Sequence, residues 1–408
     1  MKRRVHLLLA AKGLRAFGDG YVALLLPAYL LNLGYSPLQV GLIATTTLLG
    51  SGLLTLLVGL YAHRYHFRSL LLVATMLMAG TGLGFAFATD FWPLVLIALI
   101  GTLNPSSGDV SVFLPLEHAV LAQLAEDKRR TAVFARYSLV GSLVAALGSL
   151  AAGLPTWIAD TANVTLTAAL QAMFVLYAVL AGLTAVAYRA LPTTLGAGPQ
   201  QRAAPLTSSR KTVYTLAALF SLDAFAGGFV VQSMVALWLY QKFSLSLAAA
   251  GNLFFWTGIL TACSYVVAAR IASRFGLVNT MVFTHLPSSL CLVAIPFMPS
   301  LGYVIALLFL RSALSQMDVP TRSSYVMAIV PPPERPAAAS ITSVPRSLAS
   351  AVSPFLAGSL LGASSFGWPL LIAGTLKIVY DALLFIHFRS VRPPEEVGRQ
   401  RANAARMR

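Results

Sequence analysis

Apolar runs follow one another along the whole chain, each closed by a short polar or basic stretch. A helix needs roughly 20 apolar residues to cross about 30 Å of hydrocarbon. Twelve stretches qualify, at approximately 8–33, 38–61, 69–89, 92–124, 131–153, 166–190, 212–241, 246–270, 277–298, 302–330, 337–362 and 366–388. Several contain Pro, Gly or a charge, which membrane helices tolerate where neighbours satisfy the freed backbone. The pattern predicts an all-α membrane protein with 12 transmembrane helices.

Composition narrows the class. The chain is 57% hydrophobic and 10% charged, whereas a soluble protein carries about 25% charged residues. A water-soluble globular enzyme is excluded. So are a disordered chain and a disulfide scaffold, since apolar content is high and the only cysteines are Cys263 and Cys291. The net charge of +16 suggests a nucleic-acid binder until the basic residues are placed. Lys2, Arg3, Arg4 and Lys12 precede or open span 1, Arg64 and Arg68 lie between spans 2 and 3, and Lys128, Arg129 and Arg130 between spans 4 and 5. Arg189, Arg202, Arg210 and Lys211 flank the middle loop, Arg270 and Arg274 follow span 8, Arg335 follows span 10, and arginines fill the tail. The alternate loops carry only Lys242. This is the positive-inside distribution. It places both termini in the cytoplasm, in a multi-pass protein of a cell membrane of bacterial inner-membrane type, surrounded by lipid and without a nucleic-acid partner. No cleavable signal peptide is evident, because span 1 is too long and lacks a cleavage site.

The chain then divides into a six-helix bundle at 1–190, a cytoplasmic linker at 191–210 rich in Pro, Gly, Thr, Ser and Gln, a second six-helix bundle at 211–390, and a disordered basic tail at 391–408. The two bundles are repeats. Leu14-Arg15-Ala16-Phe17-Gly18-Asp19-Gly20-Tyr21-Val22 aligns with Leu222-Asp223-Ala224-Phe225-Ala226-Gly227-Gly228-Phe229-Val230 at an offset of 208. Ala62-His63-Arg64 meets Ala272-Ser273-Arg274 at 210, and an offset of 205 carries Pro115 to Pro320, Arg130 to Arg335 and Ala152-Gly153 to Ala357-Gly358. Parallel six-helix repeats of this kind build pseudo-symmetric transporters.

Twelve spans, the duplication and two local motifs together resemble the major facilitator superfamily over nearly the whole chain. The loop between spans 2 and 3 reads Gly59-Leu60-Tyr61-Ala62-His63-Arg64-Tyr65-His66-Phe67-Arg68. The family pattern there is Gly-x-x-x-Asp-Arg-x-Gly-Arg-Arg, so Gly59, Arg64 and Arg68 match while His63 replaces the Asp and His66 the second Gly. The Asp helps lock the family's outward-facing state, and its replacement weakens that lock. Gly141, Gly148-Ser149 and Gly153 in span 5 resemble the glycine-rich motif of drug/proton antiporters, with Ser149 where Pro is usual, and Ser353-Pro354-Phe355-Leu356-Ala357-Gly358 repeats it in span 11. Small residues there let helices approach closely. The resemblance implies two pseudo-symmetric six-helix bundles, no enzymatic activity and a monomer, since each chain would enclose its own pathway.

Ionisable residues inside a membrane are costly and mark function by default. Six of the thirteen carboxylates fall inside spans: Asp19, Asp109, Glu117, Asp223, Asp318 and Asp381. Arg15, Arg136, Arg311, Arg322, Arg346 and Lys377 join them. In the resembling family spans 1, 4, 7 and 10 line the central cavity, and here they hold five acids against two bases, Arg15 and Arg322. The repeat sets Arg15 against Asp223 and Glu117 against Arg322, so each half has one acid and one base with signs exchanged. Two arrangements follow. Arg15–Glu117 and Asp223–Arg322 pair within halves, or Arg15–Asp223 and Glu117–Arg322 pair between them as a gate.

Once those four neutralise one another, Asp19, Asp109 and Asp318 remain near mid-membrane. A carboxylate without a counter-charge in low dielectric favours its neutral form, the property a proton-coupling site needs. Glu117 and its neighbour His118 extend the set of proton-coupling candidates. Asn104-Pro105-Ser106-Ser107-Gly108-Asp109 reads as a break in span 4, and Gln316 and Asp318 precede Pro320 in span 10. Interrupted helices often form substrate sites, so Asn104, Ser107, Asp109, Gln316 and Asp318 are substrate-contact candidates, together with Arg15, Asp223 and Arg322. Lys377 and Asp381 are four apart on span 12 and read as a structural pair. Arg346 reads as a snorkelling side chain, and Tyr21, Tyr29, Phe225, Phe229 and Trp238 as pocket aromatics or packing.

No phosphate-binding loop, metal-ligand spacing or nucleophile elbow is present, so no cofactor and no metal is expected. The leading expectation is a secondary active transporter coupling proton entry to efflux of a small organic compound, cationic by the five-to-two count. An uptake symporter, an exporter of a metal ion or small anion recognised by Arg15 and Arg322, and a non-transporting sensor or scramblase are the alternatives.

Overall fold

The structure, a computed structural model, describes residues 2–61, 64–106, 111–124, 130–192, 206–207, 209–331, 334–389 and 391. Each of the twelve apolar stretches is one α-helix or two in series. Continuous are α1 (Lys2–Asn32), α2 (Pro37–Tyr61), α3 (Phe67–Phe87), α8 (Leu166–Arg189), α11 (Leu247–Phe275), α12 (Leu277–Ala294), α15 (Arg335–Ala363) and α16 (Trp368–Phe388). The fourth stretch is broken into α4 (Phe91–Ile100) and α5 (Phe113–Leu124), and the fifth is α6 (Arg130–Leu150), followed beyond its expected end by α7 (Leu154–Ala162). Likewise the seventh gives α9 (Arg210–Gly228) and α10 (Gln232–Phe243), and the tenth α13 (Leu301–Leu314) and α14 (Asp318–Ile329). Among the described residues nine segments are long and apolar enough to cross a membrane, and α4 and α13 are shorter apolar helices.

The breaks have local causes. Gly101 ends α4 in an extended conformation, and the Asn104 side-chain oxygen then accepts from the Ser106 amide at 3.1 Å and its hydroxyl at 2.7 Å. That Asx-type turn satisfies backbone a helix no longer serves. In the seventh stretch Gly227-Gly228 end α9, since glycine forfeits the most entropy in a helix.

The internal repeat is visible in the backbone itself. Gly34 (φ 88°) and Ser244 (φ 49°) turn the chain after α1 and α10 at an offset of 210, and Asn163 (φ 53°) and Gly367 (φ 100°) precede α8 and α16 at 204. Left-handed backbone at four repeat-related turns, two of them non-glycine, reflects a shared geometry rather than a shared residue type.

The chain forms two compact units. Unit 1 holds residues 1–200, 230–259 and 351–368; unit 2 holds 201–229, 260–350 and 369–408. In unit 1, α1 packs on α6 and α8, α3 on α8, and α2 on α4. Backbones touch where α1 and α6 cross. A Cβ on Gly20 would strike the Ala145 backbone, and one on Gly148 the Phe17 backbone. The glycines of the span-5 motif therefore serve close helix approach. Two second-half segments, 230–259 and 351–368, belong to this unit. The Tyr240 hydroxyl donates to the Leu24 carbonyl at 3.1 Å, the Ser233 amide to the Pro105 carbonyl at 3.0 Å, and the Phe355 amide to the Thr45 hydroxyl at 2.9 Å.

In unit 2, α12 packs against α13 and α14. Its core gathers Val213, Leu216 and Phe220 of α9, Met281 of α12, Tyr325 of α14, and Tyr380, Leu384 and Phe388 of α16. The start of α9 is anchored by a buried carboxylate. Glu334 accepts from the Thr207 amide and hydroxyl at 3.2 and 2.7 Å, and from the Ser209 amide at 3.2 Å and its hydroxyl.

Candidate functional site

Each unit buries one charge cluster. In unit 1, α1 supplies Arg15 and α5 supplies Glu117, with side-chain exposures of 3% and 0%. The Arg15 guanidinium donates to Glu117 Oε2, and the Tyr137 hydroxyl of α6 donates to the same oxygen. From α8, Tyr188 donates to Oε1 at 2.6 Å. The guanidinium also lies over the Phe113 ring, 4.1 Å from its centroid. A carboxylate with one cation and two phenols has its acceptor positions taken and its charge matched. One turn along α1 from Arg15, half-buried Asp19 sits 3.4 Å from the Tyr177 hydroxyl, which lies 3.3 Å from the Thr102 carbonyl.

In unit 2 the Asp223 carboxylate of α9 sits at the repeat position of Arg15, and it serves two cations. Arg322 of α14 donates to Oδ2 at 2.8 Å and Lys377 of α16 to Oδ1 at 2.6 Å. Arg322 also pairs with Asp318 one turn earlier on α14. From α12, His285 completes the set. Its Nδ1 lies 2.9 and 3.0 Å from the two Asp381 oxygens, and its Nε2 lies 3.4 Å from Lys377 Nζ and 3.7 Å from Asp223 Oδ1. All six side chains are buried.

These placements fix which sequence expectations meet. Arg15 pairs with Glu117 and Asp223 with Arg322, each within its own unit. Lys377 and Asp381 do not pair with each other; Lys377 turns to Asp223 and Asp381 to His285. Burial explains the change, because a charge in low dielectric takes the nearest full counter-charge rather than its helical neighbour. Arg346, read from sequence as snorkelling, instead lies within electrostatic reach of Arg322, Asp223 and Asp318. The five-to-two acid excess came from counting four spans only. Spans 9, 11 and 12 add His285, Arg346, Lys377 and Asp381 to the same cluster.

Other candidates are engaged elsewhere. Asn104 is 1% exposed and spends its side-chain oxygen on Ser106. His118 packs its ring edge-to-face on Phe134 and Tyr137. Gln316, half-buried, lies in the turn between α13 and α14. Ser107 and Asp109 lie outside the described residues, as does His63 of the loop motif. Gly59 is exposed at the end of α2, Arg64 is exposed over the Tyr61 ring at 5.7 Å, and Arg68 opens α3. Tyr21, Tyr29 and Trp238 are fully buried packing residues, bonded to the carbonyls of Met173, Phe85 and Ser365.

Sequence reasoning passed over His285, Tyr137 and Tyr188. A histidine in mid-span 9 beside Pro287-Ser288-Ser289 was a signal. The tyrosines, two among fourteen, carried none. Among the described residues no group of three or more His, Cys, Asp and Glu side chains is arranged to hold a metal ion.

Comparison with known proteins agrees with this architecture. A sequence profile of the Major Facilitator Superfamily matches residues 8–239 and 216–406. The chain is 24% identical over 424 residues to the uncharacterized membrane protein YJR124C of Saccharomyces cerevisiae, covering 95% of each. Among solved structures, the nucleoside transporter NupG superposes with a TM-score of 0.70 at 13% identity, over 95% of this chain and 99% of the other. The xylose transporter XylE from E. coli superposes at 0.69 and 16% identity, over 93% and 94%. The chain thus belongs to the Major Facilitator Superfamily, a multi-pass membrane protein with the fold of secondary transporters that work by alternating access, and not with that of an enzyme.

Proposed function

We propose that the chain couples proton movement to the export of a small organic solute, and that the proton is carried by the unit 2 cluster. The observation behind this reading is His285, held between Asp381 on one ring nitrogen and Lys377 and Asp223 on the other. A neutral imidazole in this setting donates from Nδ1 to Asp381 and accepts from Lys377 at Nε2. A protonated one donates from both nitrogens, to Asp381 and to Asp223, and displaces Lys377. One proton therefore rearranges who neutralises Asp223, and with it the tie between α9, α14 and α16. Histidine is suited to this because its two ring nitrogens serve as one donor and one acceptor when neutral and as two donors when protonated.

Glu117 is a poorer proton carrier in this reading, since Arg15 and two tyrosines hold its charge. Asp318 is likewise occupied by Arg322. Asp19 and Asp109 are the remaining proton candidates from sequence. The outward direction follows the span-5 resemblance to drug/proton antiporters, and a single chain encloses the pathway. NupG is a nucleoside transporter and XylE a xylose transporter, which supports a small organic solute without choosing one.

Everted vesicles carrying an imposed pH gradient test this reading. A transported compound added outside collapses the gradient, read with a pH-sensitive dye. The collapse is expected with the native chain and lost in His285→Gln and Asp381→Asn. Solute flux with no accompanying proton flux overturns the proposal.

A further inference from the structure

Arg346 is the exception in the unit 2 cluster. The other charged members are buried, yet Arg346 is exposed. It lies in an exposed stretch of α15, 343–348, with Thr342 buried one turn before it and Ser350 half-buried one turn after. Its electrostatic neighbours are nevertheless Arg322, Asp223, Asp318 and Tyr380, the buried cluster itself. No carboxylate among the described residues lies within ion-pair distance of it; its largest electrostatic neighbour is another cation, Arg322.

The groups beside it are also under-used. Arg322 spends Nη2 on two carboxylates, but its Nε and Nη1 have no hydrogen-bond partner, and neither has the buried hydroxyl of Tyr380. Tyr380 is next to both arginines, with the Arg322 guanidinium 5.9 Å from its ring centroid. Buried polar groups are almost always satisfied, so unmet donors from two helices beside the arginine of a third call for an acceptor that the chain itself does not provide.

We propose that Arg346, Arg322 and Tyr380 form an oxyanion site, and that the transported solute carries a carboxylate or phosphate group that binds there. The inference rests on the reading of the chain as a transporter of small organic solutes and specifies their charge. Arg346, reached first from water, captures the anion. The free edge of Arg322 and the Tyr380 hydroxyl then supply a fork and a neutral donor, the geometry that guanidinium groups offer to planar oxyanions. The anion also offsets the like-charge contact between the two arginines.

Thermal unfolding of the purified full-length chain in detergent, at constant ionic strength, tests this with benzoate, phenyl phosphate, benzamide and benzylamine as probes. Benzoate or phenyl phosphate is expected to raise the midpoint, and the uncharged and cationic probes are not. In Arg346→Gln and Tyr380→Phe the concentration needed rises by about ten-fold or more, the factor expected when a hydrogen bond to a charged group is lost. Arg346→Lys falls between them and the native chain. Tyr380→Phe without a probe keeps the native midpoint, since its hydroxyl has no partner to lose. Stabilisation by neither anion, equal stabilisation by benzamide, or unchanged anion response in both variants overturns the site, leaving water as what meets those donors. His285→Gln keeps the anion response, so loss of proton coupling with intact anion binding counts against the proposed coupling alone.

Discussion

The two units place an acid and a base at matching positions of an internal repeat, yet surround them differently. Glu117 of unit 1 meets one cation and two phenols; Asp223 of unit 2 meets two cations, with a histidine and a second aspartate behind them. Phenols bond a carboxylate without competing for its charge, so the unit 1 pair has one arrangement. Ionisable neighbours compete, so the unit 2 cluster has several. Duplication supplied one frame, and in the proposed function the residues around it make a fixed tie in one half and a re-partnering one in the other. The same exchange recurs one turn away. The 208 offset sets Lys12 against Phe220, and 205 sets Gly141 against Arg346. In unit 1 the Lys12 side chain of α1 lies against Gly141, where a Cβ would meet its Nζ at 3.2 Å, while in unit 2 the cation comes from α15.

Glu117→Gln is expected to break the contrast most severely. Stripping one partner from a buried pair costs about 3–5 kcal/mol, read as a lower unfolding midpoint and folded yield in detergent. Asp223→Asn is milder, about 2 kcal/mol, because Arg322 keeps Asp318 and Lys377 has Asp381 one turn away. Equal losses in these two variants contradict the idea that unit 2 re-partners. Tyr188→Phe removes one bond to the carboxylate and costs about 1.5 kcal/mol with proton exchange intact; a loss of exchange here puts Glu117 back among the proton carriers. Smallest of all, Ser244→Gly relieves a left-handed turn whose repeat mate is already Gly34, and stabilises by about 0.5–1 kcal/mol. An unchanged or lower midpoint shows that the turn is not strained.

How much of this was legible in the sequence follows physical lines. Apolar length is decided locally, so each of the twelve stretches holds one helix or two in series; Asn104-Pro105 in span 4 and Gln316 before Pro320 in span 10 mark their interruptions by composition, whereas the breaks near Gly153 and at Gly227-Gly228 went unread. Repeat position picks out the four residues but leaves pairing within halves or between them open, and only the packing of the helices pairs Arg15 with Glu117 and Asp223 with Arg322. What sequence reasoning misassigned depends on which helices lie side by side. Lys377 and Asp381 look like partners along α16, and only the packing of α9 and α12 against it reveals nearer counter-charges. Arg346 looks like a snorkelling residue until its electrostatic neighbours are seen to be Arg322, Asp223 and Asp318. The tyrosines on Glu117 had no pattern to announce them.

In the proposed function unit 2 handles the proton while the unit 1 pair stays fixed. It is tested most directly by measuring protons released or taken up by the purified chain as benzoate or phenyl phosphate is added, in the native form, His285→Gln and Tyr188→Phe. The account predicts proton exchange in the native chain and in Tyr188→Phe, and none in His285→Gln. Exchange that survives in His285→Gln, or its absence from a native chain that binds the compound, contradicts it.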